Sequence, residues 1–192
     1  MLGGIRFYKS VIKNCGFRNG VLFIIRRRLK SNKIIYMPTI PYPDYLRPGT
    51  SDEKVFIGVF VYKQYDIDIG FEPSIIIDGG ANIGLTSIYF KNKYQDSIII
   101  SIEPDAENAQ ALKSNVEKYN NIFVKQVSLW SKKTKTKISD KYGLGEWAFV
   151  LEEFDGLDIE QNLAGANTLS VADIMEEYSL EYIDLLKLDI ET

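Results

Sequence analysis

From Ser74 onward, short isoleucine-rich runs alternate with segments of helical spacing. That alternation constrains the fold more than any other feature of the chain. Ser74 to Asp78, Ser97 to Ile102, Ile122 to Val127 and Tyr182 to Ile190 read as strands. Helices are predicted over 82–93, over 105–119 with Ala109, Leu112 and Val116 at helical spacing, and over 170–178 with Ser170 as cap and Asp173 three residues on. Nearly continuous Ile/Val runs imply strands covered on both faces, as in a parallel sheet. Strands that alternate with helices imply βαβ crossovers, so the chain is read as α/β. Residues 133–169 break the rhythm. Alternating Lys and Thr at 133–138, then Trp147 to Val150, read as an inserted β-hairpin.

The first 45 residues differ in character. No Asp or Glu occurs before Asp44, while nine Lys or Arg lie in residues 1–33; the rest of the chain carries 26 acidic and 14 basic residues. Two short helices are predicted over 3–14 and 20–31, separated by Gly16 and Gly20, then a short strand over Lys33 to Met37 and an irregular link through Pro38, Pro41 and Pro43. Arg26, Arg27, Arg28 and Lys30 follow the apolar run Val21 to Ile25. Such a basic amphipathic helix either lies on an anionic membrane or polyanion, or is a solvated face docked on its own domain. The run is far shorter than the ~20 residues needed to span a bilayer. It also lacks the layout of a signal peptide, so the protein is read as cytoplasmic. Thr50 and Glu53 have the spacing of a capping box opening a helix over 51–63. The domain reading is a basic helical extension, 1–45, followed by one α/β domain, 46–192.

Composition excludes several chemistries. The 192-residue chain has no histidine and one cysteine, Cys15. Ser-His-Asp and Cys-His catalysis, histidine metal sites and an internal disulfide are therefore ruled out. Any proton acceptor must be Asp, Glu, Lys, Tyr or water.

The first strand closes on Asp78 and runs into Gly79, Gly80, Ala81, Asn82, Ile83 and Gly84, a glycine-rich turn that opens a helix. Such a turn lets backbone approach a ligand closely. Glu103 ends the second strand nineteen residues after Gly84, where an acid can accept from both hydroxyls of a ribose. The turn reads G-x-N-x-G rather than the dinucleotide pattern G-x-G-x-x-G, and an acid before it would repel a pyrophosphate. The same acid suits the ammonium and sulfonium of S-adenosylmethionine, so that cofactor is favoured over NAD.

These stretches resemble the FkbM-type methyltransferase family. The matching segments are Leu46 to Asp52 (LRPGTSD), Ile76 to Thr86 (IIDGGANIGLT), Ile102 to Asp105 (IEPD) and Asp184 to Glu191 (DLLKLDIE), in family order from about residue 46 to the end. The resemblance implies a class I, Rossmann-like methyltransferase sheet and S-adenosylmethionine-dependent methylation. The transfer would go usually to oxygen, with sugars or natural products as acceptors. It implies that Asp78, Gly80, Ala81, Asn82 and Gly84 cradle the methionine part and that Glu103 holds the ribose. Val127, Ser128 and Leu129 would lie near the adenine, and Arg47, Thr50 and Ser51 would cap the cofactor or its neighbour.

Lys187, Asp189 and Glu191 alternate along the fourth strand and share one side of it. Charges on a buried strand must be paired or reach a cavity, and ligands of open α/β sheets lie beyond the strands' carboxyl ends. Asp189 or Glu191 is therefore expected to take the acceptor's proton, with Lys187 beside them; a Lys187–Asp189 structural pair is the alternative. No metal site is expected. In the family further strands follow the Lys-x-Asp-x-Glu segment, whereas Thr192 is the last residue here. A sheet of order 3-2-1-4-5-7-6 would lack its last three strands, and the fourth would be an apolar edge open to self-association. The chain is accordingly read as a fragment. Three functions stay open: a methyltransferase, a catalytically silent adenosine-binding module, and a nicotinamide-dependent oxidoreductase. The acidic body disfavours a nucleic-acid partner, and a small molecule or sugar is the expected acceptor.

Overall fold

The isoleucine runs become the centre of a four-stranded parallel sheet. The computed structural model describes residues 2–29, 33–132, 135–139, 150–153 and 165–189. Two compact units follow one another along the chain, Met1–Gly70 and Phe71–Thr192.

In the first unit, α1 (Leu2–Cys15) and α2 (Phe17–Leu29) pack on each other. Gly16 alone separates them. Gly20, predicted to break the helices apart, lies inside α2 instead. A Cβ there would come within 3.0 Å of the Ile12 Cα, so glycine permits the close helix crossing. β1 (Lys33–Ile35) pairs antiparallel with β2 (Asp44–Leu46). The predicted helix over 51–63 is a single α-turn, α3 (Asp52–Phe56), followed by a π-helical turn, Ile57–Val61. The predicted Thr50–Glu53 capping box does not form. Ser51 takes the cap position without a side-chain bond. Asp52 instead accepts from the Arg47 backbone N–H (2.8 Å) and from its guanidinium Nε and Nη2 (3.0 and 2.8 Å), while Glu53 pairs with Arg27. Phe23 and Phe56 stack with ring centroids 5.2 Å apart. These contacts tie residues 46–56 to the helices before them. The division between the two compact units falls at Gly70.

In the second unit, β3 (Ile75–Gly79), β4 (Ile98–Ile102), β5 (Ile122–Lys125) and β10 (Leu185–Leu188) form one sheet of order β10-β3-β4-β5, parallel throughout. In chain order of its strands this is 3-2-1-4, the arrangement expected from the sequence. α4 (Leu85–Lys93) and α5 (Ala106–Val116) connect the first three strands. Residues at one level of a parallel sheet point to one face. Ile77, Ile100 and Ile102 thus meet Leu129 and Ile174 in one apolar cluster. Ile76 and Ile99 lie on the opposite face. All of these except Leu129, at 3%, are 0% exposed, and each full burial contributes about 1.5–3 kcal/mol.

A second sheet has the order β6-β9-β7-β8, from β6 (Ser128–Leu129), β7 (Lys135–Ser139), β8 (Val150–Glu153) and β9 (Gly165–Leu169). β7 and β8 form the expected antiparallel pairing, and β9 joins it to β6. Trp147, within the predicted hairpin, lies outside the described residues. The capping box of α6 (Val171–Glu177) forms as predicted, Ser170 and Asp173 bonding reciprocally. β10 departs from the fully covered strand read from its composition: Leu186 and Leu188 are exposed, because its one paired neighbour among the described residues is β3. No described helix is long and apolar enough to cross a membrane.

Candidate functional site

β3 delivers Asp78 and the glycine turn to the carboxyl edge of the sheet, where the turn folds back on its neighbours. Gly80 N–H and Ala81 N–H both donate to Ile102 O at the end of β4 (3.0 and 2.9 Å). Asn82 N–H donates to Glu103 Oε2 (2.8 Å), Ile83 N–H to the Asn82 side-chain Oδ1 (2.8 Å), and Gly84 N–H to Ala81 O (2.8 Å). All five turn amides are thereby spent inside the protein. A phosphate-binding turn does the opposite and aims free N–H groups at its ligand. Gly84 caps α4 with φ +87°, and a Cβ there would lie 2.4 Å from Leu112 Cδ1. From α5, Asn115 Nδ2 holds the turn by donating to Ile83 O (2.9 Å).

Glu103 is 5% exposed and bridges turn and helix. Besides Asn82 it accepts from Asp105 N–H at Oε1 (3.1 Å) and, at 3.5 Å, from Asn108 Nδ2. Burial pushes its pKa up to about 7, against the lowering effect of those hydrogen bonds. A carboxylate has about four acceptor positions, so capacity is left for a ligand hydroxyl.

Asp78 is fully enclosed. Its Oδ2 accepts from Ser87 Oγ (2.6 Å), which in turn lies 2.7 Å from Ser101 Oγ. Its Oδ1 faces Lys187 Nζ at 3.0 Å. That lysine also donates to Gly79 O and Gly80 O (3.2 and 2.8 Å) and lies 3.7 Å from Asp189 Oδ2. Lys187 thus braces the underside of the turn. Its proximity to Asp78 compensates the charge that, read from sequence, disfavours a pyrophosphate. Asp189 donates its N–H to Gly79 O (3.0 Å), and its side chain is 67% exposed at the sheet's carboxyl edge. Glu191 lies outside the described residues.

Ser128 and Leu129 are buried in β6, and Leu129 belongs to the apolar cluster, reaching toward Gly79. Arg47, Thr50 and Ser51 belong to the first unit. There Thr50 Oγ1 donates to Arg47 O (3.2 Å) and accepts from Asp52 N–H (3.3 Å), making a self-contained turn. Ser87, Ser101, Asn108 and Asn115 escape a reading by motif. The signal was present for Ser101, a hydroxyl inside an unbroken isoleucine strand, since buried polar groups require partners. Among the described residues no three of His, Cys, Asp or Glu gather closely enough to hold a metal ion.

A family model for the methyltransferase FkbM domain matches residues 78–191, more than half of the chain, starting at the acid that closes β3. The chain belongs to the FkbM methyltransferase family. Leu46 to Asp52 precede the matched span. Methyltransferase 1 of Beauveria bassiana is 35% identical over 78 residues, 40% of this chain and 31% of that protein. Methyltransferase sdnD of Sordaria araneosa is 29% identical over 169 residues, 72% of this chain and 65% of that protein. A crystal structure of methyltransferase FkbM from Methylobacillus flagellatus aligns with a TM-score of 0.46 and 16% identity, over 70% of this chain and 30% of the other. This FkbM domain chain therefore spans from under a third to just under two thirds of the curated relatives' length.

Proposed function

We propose that this chain binds S-adenosylmethionine and serves methyl transfer to a hydroxyl oxygen of a sugar or small natural product. The observation that carries the reading is the glycine turn. Its amides are internally satisfied, which suits a ligand without phosphates, and it is joined to a buried acid, Glu103, at the end of the next strand. The fit is one of shape and donor set. The turn from Gly80 to Gly84 offers backbone for close approach, and Glu103 offers acceptor capacity for ribose hydroxyls. Asp78, Lys187, Ser87 and Ser101 hold the turn in place from beneath. When bound, the sulfonium cofactor supplies an already activated methyl group, so the protein's task is alignment and exclusion of water. In a chain without histidine, Asp189 stands at the sheet's carboxyl edge as proton acceptor, its carboxylate taking the hydroxyl proton as the new bond to oxygen forms. Lys187 acts on the turn and on Asp189 as a positioning residue. The lone buried Cys15 suits a reducing compartment, and a cytoplasmic location is part of this reading.

Calorimetric titration with S-adenosylhomocysteine, with NAD alongside, tests the proposal. Binding of the former alone is expected; binding of NAD alone would overturn it. For a preparation that turns over, Asp189→Asn should abolish transfer with cofactor affinity nearly unchanged, and undiminished turnover would remove Asp189 from the mechanism.

A further inference from the structure

The outer face of α2 has a pattern that a merely solvated helix does not need. Gly20 and Phe23 point into the first unit, while Leu22, Ile25 and Leu29, at i, i+3 and i+7, form a stripe on the other side. They are exposed by 39, 48 and 71%. Arg18, Arg26 and Arg28 lie among and beside them on the same side of the helix. β1 extends the surface with exposed Ile34 and Tyr36 just beyond it. Between α2 and β1 opens a cavity of about 490 Å³, lined by Arg18, Asn19, Leu22, Arg26, Ile34 and Tyr36. Arg26 is fixed at its wall by donating to Ile34 O (2.9 Å).

We infer that this face is a docking surface for an anionic membrane, the apolar stripe entering the headgroup–acyl boundary and the arginines receiving lipid phosphates. Charge complementarity selects the occupant. No acidic residue occurs in the first 43 positions, so nothing on α1, α2 or β1 opposes an anionic surface. The apolar side chains select lipid over nucleic acid, because a phosphate backbone leaves Leu22, Ile25 and Leu29 in water, whereas a bilayer buries them. The cavity has one polar, doubly cationic side and one apolar side, which fits a phosphate headgroup with the start of its acyl chain. The inference concerns the first unit and is independent of the methyl-donor reading.

Flotation with phosphatidylcholine vesicles, with and without phosphatidylglycerol, tests it on the whole chain. Binding is expected only to the anionic vesicles, weakening as salt is raised. Arg18→Gln with Arg28→Gln should weaken it by about 25-fold, at about fivefold per basic residue near the surface. Leu29→Asp should abolish it while leaving the circular dichroism and melting curve of the protein unchanged, since Leu29 is exposed. Equal binding to neutral vesicles, or no vesicle binding, would overturn the inference. So would binding of poly(U) RNA that Leu29→Asp leaves intact, inorganic phosphate stabilising the protein without vesicle binding, or self-association lost in Leu29→Asp without vesicle binding.

Discussion

Replacing Gly84 by alanine should destabilise the second unit by about 2–5 kcal/mol, and the structure says how that divides. Gly84 holds φ +87°, in the left-handed region. A Cβ in that region costs about 1–2 kcal/mol. The new methyl would also stand 2.4 Å from Leu112 Cδ1 and 3.2 Å from Val116 Cγ1. Leu112 is 0% exposed, so it cannot swing away without disturbing the packing of α5 on α4, and overpacking of this kind costs about 1–3 kcal/mol. Urea denaturation followed by circular dichroism gives the total. A double-mutant cycle separates the parts. Leu112→Ala alone should cost about 2–5 kcal/mol as a cavity. Gly84→Ala with Leu112→Ala should cost less than the sum of the singles by about 1–3 kcal/mol, because the overlap with Leu112 is gone and the alanine keeps only its backbone strain and the 3.2 Å contact with Val116. Additivity within about 0.5 kcal/mol would refute the overlap. A Gly84→Ala cost below about 1 kcal/mol would refute both the overlap and the strain.

Three further outcomes are expected. Asp44 is 1% exposed with neither carboxylate oxygen hydrogen-bonded, and burial pushes its pKa from 3.8 up to about 8. The folded chain keeps a proton that the unfolded chain gives up. Its contribution to stability is therefore fully present below about pH 4 and falls by about 1.4 kcal/mol per pH unit on the way to about pH 8; denaturation across that range should show a slope shallower by about that amount in Asp44→Asn than in wild type, Glu103 keeping its own share below about pH 7. On the proposed reading Glu103 accepts ribose hydroxyls best when ionised, so adenosine binding should tighten as pH rises through about 7 and release a proton below it; calorimetry in two buffers of different ionisation heat reads that proton, and none released would remove Glu103 as the ribose acceptor. Lys187→Met leaves Asp78 buried without its cation, which should cost about 3–5 kcal/mol in denaturation; adding Asp78→Asn should recover much of it, and a single-variant cost below about 1 kcal/mol would show that the pair does not brace the turn.

How much of this could be read beforehand depends on the range of the interaction. The strands were legible because Ile75 to Ile77 and Ile98 to Ile100 leave no alternative to a covered sheet, and the α6 cap because Ser170 and Asp173 settle it within one turn. The Thr50–Glu53 box has the same local signature yet fails. Arg47, bent back by the turn at Pro48 and Gly49, claims Asp52 with two guanidinium bonds and a backbone bond, and a bidentate charged pair outweighs a neutral cap. Strand alternation correctly put Lys187 on the side of β10 that bears charge. It could not show that Asp78, more than a hundred residues away, would be its nearest acid at 3.0 Å, because register between strands is a tertiary property. Asn108 and Asn115 were hidden for another reason: on a helix an asparagine between apolar positions looks like surface, and only the docked turn turns it inward.

The same register explains why a carboxylate at the end of β10 suits the proposed role of proton acceptor better than one on a loop. At the start of the strand, Asp184 Oδ2 accepts from Ser74 N–H and Ile75 N–H (2.8 and 2.9 Å), fixing where β10 meets β3. At its end, Lys187 grips Gly79 O and Gly80 O, and Asp189 N–H adds a bond to Gly79 O. The strand is thus pinned to β3 at both ends by side chains as well as by the ladder. A one-residue slip would break all of these bonds and move Lys187 to the other face, the side of exposed Leu186 and Leu188, away from Asp78. A buried carboxylate stripped of its cation costs about 3–5 kcal/mol, and that loss at Asp78 disfavours the alternative register. The position of Asp189 therefore follows from that of the glycine turn: whatever fixes Gly79 and Gly80 also fixes the carboxylate two residues beyond Lys187, so that one bracing lysine sets both the turn and the proposed proton acceptor.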